Sequence, residues 1–288
     1  MDERTIREWQ ARAGKHCQEV HEQLVEQPRD LVQVQADEIR VKAQGKALWL
    51  AMAIMVSTRL WLGAAVSTKR DPSLIQMLFR HVRACALARP MLLVSDGFWA
   101  YFPVMVAAFR SDLPIKAGGR RLICWPDICI GQVLKKSQGR RVVGVIGKVL
   151  QGSPSRVADL IRASRGGTDL NTAYIERLNA TFRNRLASLA RRSRALLGKS
   201  ETLTPLAYLM GSVYNFCSDQ QSLRLKLWVG EHGFRWVQRS PAMAAGITDH
   251  RWSVKELLLY RLPIPAWKPS HRGRHSAKEK ELLARWAS

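Results

Sequence analysis

Acidic residues are scarce in this chain: 23 aspartates and glutamates stand against 46 lysines and arginines, a formal net charge of +23. A surplus of that size favours a polyanionic partner, nucleic acid first and an anionic membrane second, and says little about fold. Cysteine is also sparse. Cys17, Cys85, Cys124, Cys129 and Cys217 are scattered with no C-x-x-C pair, which argues against a disulfide framework or a zinc site and suits reduced thiols in a cytoplasm. The seven histidines show no metal-ligand spacing. No secretory leader is visible, because the N-terminus is polar and charged. No internal repeat occurs, and no apolar run is long enough for a membrane helix. The best candidate, "ALWLAMAIMV" at 47–56, lies between Lys46 and Arg59, well short of the roughly 20 residues a spanning helix needs. With "LWLGAAV" at 60–66 it reads instead as a buried β-hairpin.

What is present is enough apolar material, 47% of 288 residues, for one large domain or two small ones. Residues 1–27 read as a helix with Cys17, Val20, His21, Leu24 and Val25 on one stripe. Alternation from Leu31 to Val41 reads as a strand. After the 47–66 hairpin, Asp71 as N-cap and Pro72 at the first helical position start a helix running to about Ala88. "PMLLVSD" is then a short central strand ending on Asp96, and "DGFWAYFPVMVAAF" a short helix. "RRLICWPDICIGQVLKK" and "RRVVGVIGKVLQG" are strand-like runs joined as a hairpin. Helices are expected over 154–165, from Asn171 to about Leu197, and over 203–217. The proline-containing basic stretch after Tyr260 reads as an exposed arm. The order of elements makes an α/β layered domain in which the first and fourth strands can lie side by side.

Against this scarcity, "TAYIERLNATFRNRLASLARRSR" (172–194) keeps one acid, Glu176, among six arginines. Asp37 sits among apolar strand neighbours, where an unpaired buried carboxylate costs several kcal/mol. Asp96 ends an apolar strand before Gly97, where active-site loops commonly lie in α/β sheets; an Asp-Gly there is also an ordinary turn. Glu176, Asn179, Arg183 and Asn184 share one helix face. Three converging carboxylates repel, by roughly 4 kcal/mol for two charges about 4 Å apart at an effective dielectric of 20, and a divalent cation removes that penalty. Glu38 rivals Asp37, since adjacent strand residues face opposite sides and only one can point at the metals. Phe98, Trp99, Tyr101 and Phe102 read first as core packing, with stacking on an unpaired base as the alternative. Arg177, Arg183, Arg185, Arg191, Arg192 and Arg194 could form a solvated face, but their density on the helix that carries Glu176 favours phosphate contacts. "HRGRH" (271–275) resembles the core of a minor-groove AT-hook, with Arg272 and Arg274 flanking a slim glycine; a plain basic tail fits as well.

"QVQADEIRV", "LLVSDGFWAYF" and "AYIERLNATFRNRLASLARR" together resemble the catalytic core of DDE transposases of bacterial insertion sequences, in the branch of insertion sequence one. The resemblance covers residues 1 to about 262, and the I-E-R-x-N-x-x-x-R block is its most specific part. It implies an RNase H-like mixed sheet flanked by helices, with a hairpin inserted at about 121–151 and a basic C-terminal tail. It implies Asp37, Asp96 and Glu176 as catalytic and metal-binding residues, two Mg²⁺ (or Mn²⁺) ions, and Arg177, Asn179, Arg183, Arg185, Arg191, Arg192, Arg272 and Arg274 as DNA-binding. It further implies strand cleavage and transfer on element ends and target DNA, a homo-oligomer in the synaptic complex, and a bacterial, nucleoid-associated cytoplasmic location. The expected divisions are a helical segment at 1–28, the catalytic core at 29–220, a helical extension at 221–262 and the basic tail at 263–288. "DERTIREWQARAG" resembles the second half of a helix-turn-helix whose first helix is not seen, which leaves open a truncated or frameshift-dependent copy. A non-catalytic DNA-binding remnant and a metal-dependent nuclease or resolvase on the same fold remain open beside the transposase.

Overall fold

The computed structural model describes residues 2–114, 120–125, 127–139, 141–190, 197, 200–230, 233–263, 276–278 and 280–281. It opens with α1 (Glu3–Leu24), whose second half buries Cys17, Val20 and His21 while Ile6 and Trp9 in its first half stay exposed. Strands β1 (Gln33–Ala43), β2 (Lys46–Met55) and β3 (Trp61–Ser67) follow as an antiparallel meander. Helix α2 (Pro72–Ala84) starts as the sequence dictates: the Asp71 side chain accepts from the Leu74 N–H at 3.1 Å, with Pro72 supplying the first helical φ. Then come β4 (Met91–Asp96), α3 (Tyr101–Ala108), a small hairpin β5 (Arg110–Pro114) and β6 (Arg120–Cys124), and the long pair β7 (Ile128–Gln138) and β8 (Arg141–Gln151). Helices α4 (Pro154–Ala163), α5 (Ala173–Arg185) and α6 (Leu203–Ser212) precede a second small hairpin, β9 (Leu225–Trp228) and β10 (Phe234–Val237), and two short helices, α7 (Pro241–Ala244) and α8 (Val254–Leu259).

The main sheet has six strands in the order β3-β2-β1-β4-β7-β8, with β1, β4 and β7 mutually parallel and the rest antiparallel. This mixed sheet flanked by helices is compatible with an RNase H-like fold. Alternation along β1 divides it between two cores. Val34 and Ala36 join α1, α2 and α3 on one face, and Ile39 and Val41 join α5 and α6 on the other. No described helix is long and apolar enough to cross a membrane.

Three expectations need correction. The pair at 121–151 is not an insertion: β7 hydrogen-bonds to β4 in parallel from Met91/Ile128 to Asp96/Val133 and is a central strand. Its run is cut from β6 at Asp127, whose φ of +60° breaks the extended chain. The basic helix stops at Arg185, because Leu186 turns extended and Ala187–Leu189 form a single 3₁₀ turn. The segment 221–262 is not wholly helical, since β9 and β10 alternate in the pattern of a hairpin.

Candidate active site

The register of the parallel strands sets the site. β1 and β4 pair as far as Gln35/Val94, so two residues further on Asp37 stands beside Asp96 at the carboxyl ends. Asp96 in turn pairs with Val133 of β7, and Lys135 follows two residues later. Carboxyl ends of parallel strands are where α/β sheets commonly carry their chemistry. Helix α5 is brought over that edge by Gln35, which is fully buried. Its side-chain oxygen accepts from the Tyr174 and Ile175 N–H groups at 3.0 and 3.1 Å, and its amide donates to the Asn171 carbonyl at 2.7 Å. One polar side chain in the sheet thereby satisfies two orphan donors at the helix start and sets Glu176 over the strand ends. Gln33 accepts from Ser164 at the end of α4. Neither glutamine was singled out from the sequence, although two polar residues on an apolar strand, "QVQ", are a visible anomaly.

Asp37, Asp96 and Glu176 line a common hollow of about 460 Å³ with Lys135, Thr172 and Trp99. It adjoins a second of about 570 Å³, where Asp37 and Glu176 meet Asn179, Arg183 and Asn184. The expected helix face is therefore turned to the groove. Asp37 accepts from the Asn179 amide at 2.7 Å and from the Glu38 N–H at 2.8 Å. Burial first, then the charges of Glu38, Asp96 and Glu176, push its carboxyl up to about 7 against the Glu38 N–H bond. Asp96 accepts from the Phe98 N–H at 3.0 Å and from Arg70 at 3.3 Å. Glu176 is held by Lys135 at 2.5 Å and Thr172 at 2.8 Å. Burial acts to raise its carboxyl, but the two hydrogen bonds and the Lys135 charge outweigh it and the net direction is down.

Glu38 corrects the expectation that only one of the two neighbours reaches the site. Although it faces the other side of the sheet, one oxygen each of Asp37, Glu38 and Asp96 lie within 4.8 Å of one another, close enough to hold one metal ion together. Glu38 is nearly inaccessible and already occupied: Tyr101 donates to it at 2.7 Å and Arg70 pairs with it. Burial is the main reason its carboxyl is raised. Arg70 thus bridges Glu38 and Asp96 while lying 4.2 Å from the Phe98 ring centre. A cluster of carboxylates open to a polar groove on the Asp37 and Asp96 side is a donor set that suits a hard divalent cation.

The expected DNA contacts divide. Asn179 is almost inaccessible, donates to Asp37 and lines the groove. Arg183 lines the groove, Arg185 donates to Ser218 at 3.1 Å, and Arg177 points to a different pocket on the other side of α5. Arg191, Arg192, Arg194, Arg272 and Arg274 lie outside the described residues. Of the aromatic run, Tyr101 is core, whereas Trp99 is 66% exposed at the groove.

No family model matches the sequence, and no curated protein matches it. Among solved structures, a chain of the cryo-EM structure of the simian T-cell lymphotropic virus intasome in complex with PP2A regulatory subunit B56 gamma matches 86% of this chain at 13% identity and a TM-score of 0.36. This chain spans 61% of that chain's length. A likeness that distant fixes no chemistry.

Proposed function

We propose that the chain is a DDE transposase that cleaves and joins DNA strands, with Asp37, Asp96 and Glu176 as its catalytic carboxylates. One observation carries the reading: acids from β1, β4 and α5 line a single groove in a protein of net charge +23. Mg²⁺ or Mn²⁺ held by these carboxylates would supply Lewis acidity at the phosphodiester and lower the pKa of the attacking water.

The chain's own residues do the rest. Arg183, and the arginines beyond α5, hold the DNA backbone without reading sequence. Asn179 keeps Asp37 aimed into the groove, and Arg70 keeps Asp96 in place. Trp99 offers a face on which an unpaired base can stack. In the first reaction water attacks phosphorus as the P–O3′ bond breaks, leaving a 3′-hydroxyl and a 5′-phosphate. In the second that hydroxyl attacks a target phosphodiester, and the leaving oxygen departs as the target's own 3′-hydroxyl. The proposal includes a homo-oligomer that pairs two element ends in a bacterial nucleoid.

A second reading draws on the Lys135–Glu176 and Arg70–Asp96 pairs: a DNA-binding chain whose groove stays occupied by its own cations and does not cleave. The test is a labelled duplex carrying the end of the element, incubated with Mg²⁺ or Mn²⁺ and either wild type or Glu176→Gln. Nicking and joining that disappear in the variant while binding persists support the transposase. Binding without cleavage by either protein supports the second reading. Cleavage that survives in the variant places the active site elsewhere.

A further inference from the structure

On the side of α5 turned away from the acids lies a third pocket, of about 310 Å³, walled by Arg59, Tyr174, Arg177, Tyr214, Gln220 and Ser222. No carboxylate lines it, and among the described residues neither Arg59 nor Arg177 makes an ion pair. Two guanidinium groups share this polar recess with two phenols, a carboxamide and a hydroxyl. Every one of these side chains can donate a hydrogen bond.

Arg59 is the unusual member. It ends the turn between β2 and β3 with φ of +60°, a left-handed conformation that glycine or asparagine adopts at lower cost. That backbone lays its guanidinium 3.8 Å from the centre of the Tyr174 ring. Its Nη1 is buried with no hydrogen-bond partner, a state that is costly for a polar group and more so for a charged one. Burial, together with the charge of Arg177, makes the Arg59 proton easier to lose, while Tyr174 and Tyr214 act the other way. Arg59, Arg177 and Arg185 all favour negative charge on Tyr214, although its burial outweighs them. The helix start itself is not the attraction, because the N–H groups of Ala173, Tyr174 and Ile175 are already bonded to Asn171 and Gln35.

A residue in a left-handed conformation whose guanidinium stacks on Tyr174 but has one buried N–H group unsatisfied and no ion pair, beside a second guanidinium with no ion pair among the described residues, is a site short of an anion. We propose that this pocket seats a single phosphate group, bound jointly by Arg59 and Arg177. Its source is a backbone phosphate of bound nucleic acid or a free phosphate or nucleotide. The inference does not require that the acidic groove cut DNA.

The test measures binding only, in EDTA, so it is separate from cleavage. Binding of a mixed-sequence duplex is followed against salt for wild type, Arg59→Gly, Arg177→Gln and the double variant. Glycine suits the backbone at position 59, and position 177 is exposed, so both variants are expected to fold. Counterion release counts the phosphates neutralised. If the two arginines share one DNA phosphate, the slope of log K against log salt falls by about 1 in each single variant and by about 1, not 2, in the double. In parallel, inorganic phosphate and a nucleoside monophosphate are tested for raising Tm relative to chloride at equal ionic strength. A rise seen in wild type and lost in both variants, with salt slopes unchanged, supports the pocket and assigns it to a free phosphate. An additive fall of about 2 in the double variant, or no change in slope and no phosphate-dependent Tm, overturns the proposal.

Discussion

The ammonium of Lys135 lies 2.5 Å from Glu176, so the one acid of the basic helix is neutralised by a side chain from the adjacent parallel strand. Both partners are about half exposed, at 45% and 46%. An ion pair in such a setting is worth about 0–1 kcal/mol. A divalent cation that uses Glu176 must displace Lys135 at that cost. Lys135→Met is therefore expected to tighten Mn²⁺ binding by up to about fivefold, the factor equivalent to 1 kcal/mol. Calorimetric titration of the metal-free protein checks it. Affinity left unchanged both by Lys135→Met and by Glu176→Gln would mean that Glu176 is not a ligand, whatever its place in the groove.

Groups at the site and in the core pull the pH dependence of stability in opposite directions. Asp37 is pushed up to about 7, so the folded protein keeps a proton that the unfolded chain releases near pH 4. Its contribution therefore falls as pH rises from about 4 to about 7, and Glu38 is shifted the same way. His21, fully buried and lowered to about 4 mainly by that burial, refuses a proton that the unfolded chain takes up below about 6.5. Its contribution falls as pH drops through that window. The two slopes oppose each other between about pH 4 and 6.5. Asp37→Asn removes one of them. Its Tm in EDTA is expected to climb from pH 4 to 6.5 more steeply than that of wild type, and to exceed wild type at pH 8. A variant that tracks wild type across the range would show that Asp37 is ionised at no unusual cost.

The same residues show how much of this was legible in sequence. Alternation from Leu31 to Val41, the Asp71-Pro72 helix start and the apolar run into Asp96 are local features, and each formed as expected because its cause lies within a few residues. The central position of β7 was not legible, since "ICIGQV" identifies a strand without naming its neighbour. Placing it beside β4 depends on pairing across the chain. The end of α5 was missed because "ASLARRSR" has good helix formers throughout, and local propensity is a weak guide where tertiary packing decides. The hairpin at Leu225–Val237 leaves a readable trace in the sequence, L-R-L-K-L-W and F-R-W-V around a glycine-bounded turn. Within the site, period two correctly put Asp37 and Glu38 on opposite faces. It did not reveal that both reach the neighbourhood of Asp96 at the strand ends.

Packing on the far core gives a prediction independent of function. Gly211 in α6 lies against the Trp61 ring so closely that an added Cβ would stand 2.2 Å from two ring carbons. The ring cannot easily withdraw, because the Trp61 backbone is bonded at 2.9 Å through both its N–H and its carbonyl to the Asn215 amide. The indole also packs on His21, Tyr208 and Phe182. Gly211→Ala is expected to destabilise by about 2–3 kcal/mol, towards the upper end of typical overpacking costs. Gly230→Ala, in open space at φ of +49°, should cost about 1 kcal/mol, the ordinary penalty for a left-handed alanine. Urea denaturation separates the two, and equal losses would mean that the Trp61 ring gives way.

Gln35 links stability to the site. Its side chain accepts two N–H groups from the first turn of α5 and donates to Asn171, all from a fully buried position. Gln35→Met keeps the volume and removes every one of these bonds. Each buried donor left without a partner costs about 1–3 kcal/mol. Water entering beside the helix start, or a shift of α5, recovers part of that. The expected net loss is about 2–4 kcal/mol in urea denaturation, from two such donors less the recovery. The consequence for chemistry follows from where α5 sits. Glu176 is one residue beyond the anchored Ile175 N–H, so a small displacement of the helix start moves its carboxylate relative to Asp37 and Asp96. Displacements near 1 Å can cost about 10²-fold in rate when groups must be aligned for reaction. Under the transposase reading, Gln35→Met is therefore expected to lose strand cleavage at a temperature where it remains folded, with DNA affinity nearly unchanged because the basic surface is untouched. A folded variant that cleaves at the wild-type rate would show that α5 is held in place by its apolar face, through Ile175, Leu178 and Phe182, and that the buried glutamine contributes stability alone.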